Sequence, residues 1–488
     1  MAILSQHNTL GPIMDANRLP LAVDLDGTLL HIDTLYELFA LALFRVPVQA
    51  LLALFELRYG IAAFKRRLCD MAALDWTLLP ARDALVEYLA EEAAAGREVH
   101  LVSAADQQIV SKIAKRFPFI QSSIGSGDGV NLKGHAKARK LCERFPGGFV
   151  YAGDSGADLP VWRECKAAII VSSRRSLVAA VHGSGVPIER IFDGSVSPTR
   201  AWIEALRPHQ WAKNAIVLVP LLLSWNAVTV SSLMTALVFI AILCAVASLT
   251  YLINDIADLA SDRAHWSKRH RPFASGAIPV RDGLAAVGAF LPILCFAAFM
   301  LSPHAGMCVL FYVVTTLGYS FAWKRIPIFD TFIIGLLFTT RILIGMAAAQ
   351  LAPSAWLLTF SMFFFLSLAL AKRHTEILRA IEHGLQTLVG RGYQASDAGL
   401  TMTFGVSASM TSIVIVVLYL VEEVFSREIY QSPAWLWVAP IAIFLFTTRV
   451  WVLSHRGRMM DDPVAFALRD RVSLGLGVLV ALAIALAI

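Results

Sequence analysis

Residues 231–262 read SSLMTALVFIAILCAVASLTYLINDIADLASD, an apolar run that passes directly into a group of acids. Residues 231–253 contain no charged side chain, and a helix needs about 20 apolar residues to cross a bilayer. Spacings of three and four then place Asp255, Asp258 and Asp262 on one helical stripe, with Asn254 one turn from Asp258. Because like charges on one stripe repel, the pattern favours a bound cation over a solvated helix end. The stretch therefore predicts a membrane helix that leads into a magnesium site.

The composition separates a polar part of the chain from an apolar part. Hydrophobic residues make up 57% of the 488 residues and charged residues 16%, with a net charge of +6 and a mean hydropathy of +0.63. Residues 1–200 hold 43 charged side chains, whereas the 288 residues that follow hold only 35. A soluble domain therefore precedes a membrane domain. This division excludes a disordered chain and a nucleic-acid binder with a basic soluble surface. The six cysteines lack C-x-x-C or zinc-like spacing and predict no disulfide scaffold.

Charge placement predicts the orientation of the membrane domain. After Leu206 we count nine apolar segments, at 213–229, 231–253, 283–302, 305–322, 328–349, 354–371, 401–421, 433–451 and 472–488. The connections after the second, fourth, sixth and eighth segments hold 15 Lys and Arg residues, whereas the opposite connections hold only Arg427. By the positive-inside rule, the N-terminal domain lies in the cytoplasm, and we expect a bacterial inner membrane. The N-terminus resembles no secretory signal, which agrees with this orientation.

The first 200 residues predict an α/β Rossmann-like domain. LPLAVDLDGTLL (19–30), EVHLVSAAD (98–106) and GGFVYAGDSGADLP (147–160) each read as a buried strand followed by a polar loop, with helical patterns between them. Such repeats are typical of a parallel sheet with its site at the carboxyl ends of the strands. We place this domain at 1–185, with a helical cap at about 34–95. A linker with an interfacial helix follows at 186–206, and the all-α membrane domain occupies 207–488. The apolar stretch 35–55 is either cap core or a membrane contact.

Polar residues in three loops predict a phosphoryl-transfer site in the first domain. This chemistry needs a carboxylate nucleophile and a second carboxylate that acts as acid and base. It also needs acidic residues that bind magnesium, and a cation and a hydroxyl group that hold the phosphate oxygens. The candidates are Asp24, Asp26, Ser103, Asp154 and Asp158, with Lys133 or Lys137 as the cation. Grouped acids without a cation would be costly, which argues for bound metal.

These motifs, DLDGT, LVSAAD, NLKGHAK and GDSGAD in that order, resemble the haloacid dehalogenase-like phosphatase superfamily over about residues 18–185. The resemblance implies that Asp24 is the nucleophile and Asp26 the general acid and base. It also implies that Ser103 and Lys133 bind phosphate, while Asp24, Asp26, Asp154 and Asp158 form the magnesium site. Lys137 lies at an equally plausible spacing. The competing interpretation is an inactive domain kept as a scaffold.

The second half resembles the UbiA-type membrane prenyltransferases over about residues 205–488. The likeness is carried by NDIADLASD, LRPHQWAKN (206–214), YSFAWKRIPIFD (319–330) and DDPVAFALRDR (461–471). It implies nine helices around a central cavity. Typical members have paired aspartates in a second motif, but here Ile334 lies four residues after Asp330. In this respect the motif around Asp330 more closely resembles that of the decaprenyl-phosphate phosphoribosyltransferase branch. The donor in that branch is 5-phosphoribosyl 1-diphosphate, and the acceptor is a polyprenyl phosphate.

By this resemblance, acidic residues and basic residues bind different parts of the substrates. We assign Asn254, Asp255, Asp258 and Asp262 to magnesium diphosphate. The assigned substrate-binding residues are Lys213, Lys268, Arg271, Tyr319, Lys324, Asp330, Arg341, Lys372 and Arg373. Arg341 lies within an apolar run, where an ionisable group is functional by default. Lys372 and Arg373 are equally explained as positive-inside anchors, and Tyr319 as an interfacial aromatic residue.

Together the two halves predict a bifunctional, magnesium-dependent enzyme. Transfer would give a polyprenyl-phosphoryl 5-phosphoribose, and the first domain would remove the 5-phosphate. One alternative is a prenyltransferase that moves an isoprenyl group onto an aromatic or lipid acceptor, fused to a phosphatase with a separate substrate. Another is a phosphatase anchored by a non-catalytic, lipid-binding membrane domain. The sequence leaves the chain length of the lipid and the oligomeric state open, a homo-oligomer included.

Overall fold

The computed structural model describes residues 19–71, 74–127, 130–192, 197–388, 391–427, 430–459, 463–467 and 469–488. Asp461 and Asp462, part of one membrane-domain motif, lie outside the described residues, as do residues 1–18. The chain forms two compact units. One contains the chain up to Leu206 together with Tyr251–Ala286, and the other contains Arg207–Thr250 and Val287–Ile488. The segment with the acidic stripe thus belongs to the first unit.

The first unit is built on a six-stranded parallel sheet with the order β3-β2-β1-β4-β5-β6. The strands are β1 (Leu21–Val23), β2 (Val99–Asp106), β3 (Ser122–Ser126), β4 (Val150–Gly153), β5 (Ala167–Ile170) and β6 (Ile188–Ile191). The predicted parallel sheet is therefore confirmed. β6 pairs with β5, so residues 188–191 belong to the sheet, although we expected them in the linker. Their backbone groups are satisfied by this pairing, which a free linker would leave to water.

Helices cover the sheet and build the region between β1 and β2. In chain order they are α1 (Thr34–Arg45), α2 (Pro47–Ala53), α3 (Ile61–Met71), α4 (Asp83–Ala94), α5 (Gln107–Ala114), α6 (His135–Arg144), α7 (Leu159–Trp162), α8 (Arg175–His182) and α9 (Pro198–Leu206). A 3-10 helix, Leu54–Tyr59, joins α2 to α3. The region predicted as a cap is thus largely helical. α1 buries Leu38 and Ala42 in the same apolar cluster as β1 and β2, so part of the stretch 35–55 is core.

The remaining helices are mostly long and apolar. They are α10 (Val219–Leu223), α11 (Val230–Ala257), α12 (Leu259–Ala264), α13 (Val280–Leu301), α14 (Pro303–Phe321), α15 (Phe329–Ala348), α16 (Ala355–Glu382), α17 (Ala398–Tyr419), α18 (Phe425–Arg427), α19 (Val438–His455), α20 (Pro463–Ala467) and α21 (Arg471–Ala487). Within the described ranges, seven helical spans are long and apolar enough to cross a membrane. The shorter α21 is apolar too.

The first predicted segment does not form one helix. Residues of 213–229 fall in a 3-10 helix, Pro208–Leu218, then in α10 and in a short turn, Trp225–Ala227. Pro220 at the start of α10 lacks the N–H that a continuous helix would use. Many apolar side chains of α13, including Phe290, Ile293 and Phe296, are exposed. Such a surface suits lipid, and the chain is a multi-pass membrane protein.

Candidate active sites

The carboxyl ends of two neighbouring strands, β1 and β4, bring the predicted acids of the first unit together. β1 lies between β2 and β4, so Asp24 after β1 and Asp154 after β4 emerge at the same edge. One carboxylate oxygen from each of Asp24, Asp154 and Asp158 lies within 4.8 Å of the others. In the part of the chain that the structure describes, this is the one group of three or more potential metal ligands at such spacing. Three hard oxygen donors suit Mg²⁺, so the residues present fit the predicted ion.

Lys137 supplies the cation of this cluster. Its ammonium lies 2.9 Å from Asp24 Oδ2 and 3.7 Å from Asp158 Oδ1, and its side chain is almost completely buried. It also donates to the hydroxyl of Tyr151, which in turn donates to Asp158. Lys133, which we had placed in the site, is exposed. The reason is local, because Gly134, at a φ of 56°, caps the start of α6, and Lys137 falls on the buried face of the first turn of that helix.

Burial raises the pKa values of three acids at this site, Asp24, Asp26 and Asp154. It raises the pKa of Asp24 to about 6, although the ammonium of Lys137 opposes the shift. Burial, with the charge of Asp33, raises the pKa of Asp26 to about 7. Burial and the neighbouring Asp24 likewise raise the pKa of Asp154 to about 7. Carboxyl groups that titrate near neutrality are suited to proton transfer, and clusters of them are typical of catalytic sites.

The first residue of α1 holds Asp26 in place. The Oδ1 atom of Asp26 accepts from the Thr34 amide at 2.9 Å, and its Oδ2 atom accepts from the Thr34 hydroxyl at 3.3 Å. Ser103 is buried in β2, and its hydroxyl accepts from the amide of Ala105. The first helix of the cap region therefore directly supports one of the two predicted catalytic carboxylates.

Several contacts in this site escaped the sequence analysis. Arg82 donates through both Nε and Nη2 to the carbonyl of Gly27, and the Thr28 hydroxyl donates to Asp154. Gly27 has a φ of 77°, and a Cβ there would lie 2.5 Å from Asp154 Oδ2, so only glycine fits. The G-T of DLDGT was the available signal for Gly27 and Thr28. Arg82 lies in no recognisable motif.

The acidic stripe, also in the first unit, is organised by an arginine. Arg271 Nη1 lies 3.2 Å from Asp255 Oδ1 and 2.7 Å from Asp262 Oδ2, and both carboxylates are buried. The two acids thus share one face, as their spacing predicts. We had assigned Arg271 to substrate phosphate, whereas here its guanidinium bridges the acids. Burial raises the pKa of Asp262, although Arg271 opposes the shift.

Asp258 marks a break in this stripe. α11 ends at Ala257 and α12 begins at Leu259, with Asp258 at the junction. Asp258 and Asn254 are half-buried, and Lys268 is exposed. Within the described ranges, the stripe does not bring three carboxylates to the close spacing of the first cluster. In the described structure, the Arg271 guanidinium lies between two of these acids.

The second unit has its own charged cluster around Asp330. This fully buried acid at the start of α15 lies 2.8 Å from Arg373 Nη2 and accepts from the Tyr393 hydroxyl at 2.6 Å. Arg391 lies 3.9 Å from the same carboxylate and donates to the hydroxyl of Tyr319. The structure thus brings together the predicted Tyr319, Asp330 and Arg373. Sequence reasoning missed Tyr393 and counted Arg391 only for topology, because their loop carries no acidic motif.

Arg341 is buried among neutral partners in the second unit. It donates to Asn214 Oδ1 at 2.9 Å, to the Leu337 carbonyl at 2.7 Å and to the Tyr312 hydroxyl at 3.0 Å. Among the ion pairs of the described residues, none includes this guanidinium. Its charge is therefore offset by dipoles and aromatic faces, which leaves it able to attract an anion.

The remaining predicted cations occupy helical positions. Lys213 lies in the 3-10 helix Pro208–Leu218, Lys324 in the 3-10 turn Trp323–Arg325, and Lys372 in α16; all three are half-buried. α16 continues to Glu382, so Lys372 and Arg373 lie inside the helix and not in a connection. The buried pairing of Arg373 with Asp330 favours a site residue over a simple anchor.

Several known proteins are similar to this chain in sequence. The protein y4nM of Sinorhizobium fredii is 38% identical over 491 residues, covering 100% of this chain and 95% of that protein. The nodulation protein NoeC of Azorhizobium caulinodans is 34% identical over 57% of this chain and 90% of that protein. A decaprenyl-phosphate phosphoribosyltransferase of Mycobacterium tuberculosis is 29% identical over 55% of this chain and 88% of that enzyme.

The family comparison covers the acidic stripe and the Asp330 cluster together. The model of the UbiA prenyltransferase family matches residues 215–469, which is just over half of the chain. The match begins after the parallel sheet has ended, so it bears on the membrane transferase and not on the phosphatase-like cluster. The chain belongs to the UbiA prenyltransferase family of membrane transferases.

Proposed function

We propose that this chain catalyses two consecutive reactions on a lipid phosphate. The membrane transferase moves 5-phosphoribose from 5-phosphoribosyl 1-diphosphate to a polyprenyl phosphate. The haloacid dehalogenase-like domain then removes the 5-phosphate to leave polyprenyl-phosphoryl ribose. The observation that carries the proposal is the group of Asp24, Asp154, Asp158 and Lys137, a phosphomonoesterase-like arrangement, in the same chain as a transferase with relatives named for phosphoribosyl transfer.

In the phosphatase step, Asp24 acts as nucleophile. Its carboxylate oxygen attacks phosphorus, the bond to the ribose 5-oxygen breaks, and Asp26 gives its proton to the departing oxygen. Asp26 then takes a proton from water, which attacks the aspartyl phosphate and releases inorganic phosphate. Lys137 and Ser103 would hold the phosphate oxygens. Magnesium at Asp24, Asp154 and Asp158 would offset the negative charge that gathers there.

In the transfer step, the lipid phosphate needs no general base, because it is already an anion. One of its oxygens bonds to C1 of the ribose while the bond from C1 to the diphosphate breaks. Asn254, Asp255, Asp258 and Asp262 are proposed to hold magnesium diphosphate, with Arg271 and Lys268 contributing positive charge. Lys324, Asp330 and Arg373 are assigned to the ribose 5-phosphate, and Lys213, Arg341 and Lys372 to further phosphate charge.

The two reactions suit one chain because the first makes the substrate of the second. The proposed lipid product carries a sugar phosphomonoester, and a tethered phosphatase meets it at high effective concentration. The basic connections between the helices support a cytoplasmic position for the N-terminal domain of a protein that spans a bacterial inner membrane. The seven long helices together with α21 agree with eight of the nine predicted spans, and the ninth would have to come from the broken segment 208–223.

One reconstitution tests the proposal. Purified protein is incubated with polyprenyl phosphate, labelled 5-phosphoribosyl 1-diphosphate and magnesium, and the mass of the lipid product is measured. We expect pyrophosphate release and a lipid heavier by a ribose without the 5-phosphate. Product formation only from isoprenyl diphosphate would instead identify a prenyl transfer. Phosphate release without any pyrophosphate release would identify a membrane-anchored phosphatase.

A further inference from the structure

In the part of the chain that the structure describes, the cap region carries a large exposed apolar surface. On α2 and the 3-10 helix after it, the buried side chains are those of Ala50 and Ala53. The large side chains of the same segment are exposed, from 39% for Leu54 to 69% for Val48. We call this surface the apolar cap face; its main members are Val48, Leu51, Leu52, Leu54, Phe55 and Leu57.

This burial pattern is the reverse of the pattern expected in water. A helix packed on a soluble domain normally buries its leucines and exposes its small or polar residues. Here two alanines pack inward while four leucines, a valine and a phenylalanine of α2 and its extension face outward. Contiguous apolar patches of this kind mark contact with another protein or with a membrane.

The charge around the apolar cap face favours a membrane. Residues 45–67 contain four arginines, one lysine and a single acid, Glu56. Arg45, Arg58 and Arg67 are exposed, as is Arg66, whose Nε also lies 3.0 Å from Asp106 Oδ2. An apolar centre with a basic rim is the pattern of helices that lie in the headgroup region of anionic bilayers. A protein partner would need no such excess of one charge.

A cavity lies beside the segment that follows the apolar cap face in sequence, and one of its lining residues, Lys65, interacts electrostatically with Asp26 and Asp24. A cavity of about 470 Å³ is lined by residues that include Tyr59, Ile61, Lys65, Arg66 and Asn131. Tyr59 and Ile61 are exposed and directly follow the face in sequence. Lys65 donates to the carbonyl of Ala104, the residue after Ser103, at 2.6 Å. The cavity thus joins an apolar outer edge to a cation beside the predicted phosphate-binding strand.

We propose that the apolar cap face docks on the surface of an anionic bilayer, so that the cavity beside Lys65 receives a phosphomonoester headgroup from the membrane and not from solution. The inference deepens the proposed phosphatase function and rests on it for the substrate. The docking itself depends only on the apolar cap face and its basic rim.

Photocrosslinking tests the docking without any activity. The full-length variant Phe55→p-benzoylphenylalanine is reconstituted in nanodiscs of phosphatidylcholine and phosphatidylglycerol, and illuminated. We expect lipid adducts by mass spectrometry, whereas the matched variant Ile191→p-benzoylphenylalanine, on exposed β6, gives none. A cross-linked dimer, an adduct within the chain, or no adduct at position 55 would overturn the proposal.

A comparison of a membrane-embedded substrate with a water-soluble substrate tests the consequence of docking for catalysis. Phe55→Glu and Leu51→Glu should lower hydrolysis of a membrane-embedded phosphomonoester at least about 10-fold, because each removes a large apolar side chain from the membrane contact. Hydrolysis of water-soluble phenyl phosphate should be unchanged, and Ile191→Glu should alter neither reaction. Equal effects on both substrates, or no effect on the lipid substrate, would overturn the proposal. If the wild-type protein hydrolyses neither substrate, the phosphatase function fails, whereas the crosslinking result still decides the docking.

Discussion

Glu37 and Arg263 form a buried, bidentate ion pair across 226 residues of sequence, with oxygen to nitrogen distances of 2.8 and 3.0 Å. The two side chains are only 1% and 4% exposed. Glu37 lies on α1, whose first residue, Thr34, holds Asp26, and Arg263 directly follows Asp262 on α12. Arg263 also donates to the carbonyl of Ala274 at 3.0 Å. Within the first unit, this pair connects the helix that supports the proposed phosphatase site to the segment that carries the acidic stripe.

We predict that Glu37→Gln lowers stability strongly. It leaves the Arg263 guanidinium buried without a compensating charge, which costs about 3–5 kcal/mol in comparable sites. The double variant Glu37→Leu with Arg263→Leu should recover part of the loss, because no buried charge remains. Thermal unfolding of the purified full-length protein measures both effects. Glu143→Gln breaks an exposed pair with Lys140 and should leave the melting temperature unchanged. Equal melting temperatures for wild type and Glu37→Gln would contradict the role given to the pair.

Asp24→Asn should separate the two reactions. The amide that replaces the carboxylate is not a competent nucleophile, so the lipid that retains its 5-phosphate accumulates while pyrophosphate release continues at the wild-type rate. Mass measurement of the lipid fraction distinguishes the two products. Asp75→Asn, at an exposed turn away from the cluster, serves as the control and should give the dephosphorylated lipid. An unchanged product with Asp24→Asn would refute the coupling of the two steps.

The phosphatase step should have a bell-shaped dependence on pH. Asp24 must be ionised, and burial raises its pKa to about 6, so activity falls below that pH. Asp26 must carry a proton, and burial raises its pKa to about 7, so activity falls above that pH. Bound magnesium stabilises the ionised form of Asp24 and should move the acid limb to lower pH. The measurement is kcat/KM against pH with a soluble phosphomonoester.

Asp26→Asn provides the variant for this profile. It should lower kcat/KM by about 10²–10⁴-fold, the usual contribution of a general acid. The residual activity should lose the basic limb, because the titrating group is gone. Persistence of that limb would assign it to another residue.

Asp262→Asn and Asp258→Ala should abolish transfer while leaving hydrolysis of a soluble phosphomonoester intact. These acids are assigned to magnesium diphosphate, so pyrophosphate release is the measured quantity. Asp282→Asn is the matched control, because Asp282 is an exposed acid at the start of α13, paired only with its exposed neighbour Arg281 among the pairs described. Transfer near the wild-type rate in Asp258→Ala would remove the acidic stripe from the mechanism.

Tyr393→Phe should weaken use of the phosphoribosyl donor. Tyr393 donates to Asp330 and accepts from the amide of Ile328, so its loss leaves a buried carboxylate with fewer partners, at a cost of about 1–3 kcal/mol. We expect a higher KM for the donor and an unchanged KM for the lipid acceptor. Tyr430→Phe, within a separate apolar cluster, should change neither value. Equal changes for donor and acceptor would indicate a general loss of structure.

Local patterns in the amino-acid chain predicted most of the architecture of both halves, with β6 and the broken first membrane segment as exceptions. Apolar strands followed by polar loops predicted the parallel sheet and the meeting of Asp24 with Asp154, because carboxyl ends of neighbouring parallel strands share an edge. Apolar runs of membrane length predicted the long helices, because backbone polar groups in lipid must be paired within the segment. Spacings of three and four predicted that Asp255 and Asp262 share a face.

Contacts between distant segments depended on folding and could not be obtained from spacing. Lys137, and not Lys133, lies among the acids because α6 begins directly after Gly134. Lys137 therefore falls on the buried face of the helix, whereas Lys133 precedes the helix and is exposed. Three contacts each join segments that are brought together only by the course of the loops between them. They are the bridging of Asp255 and Asp262 by Arg271, the hydrogen bond from Tyr393 to Asp330, and the ion pair of Glu37 with Arg263. Periodicity determines which face a residue occupies, whereas packing of the whole unit determines what that face meets.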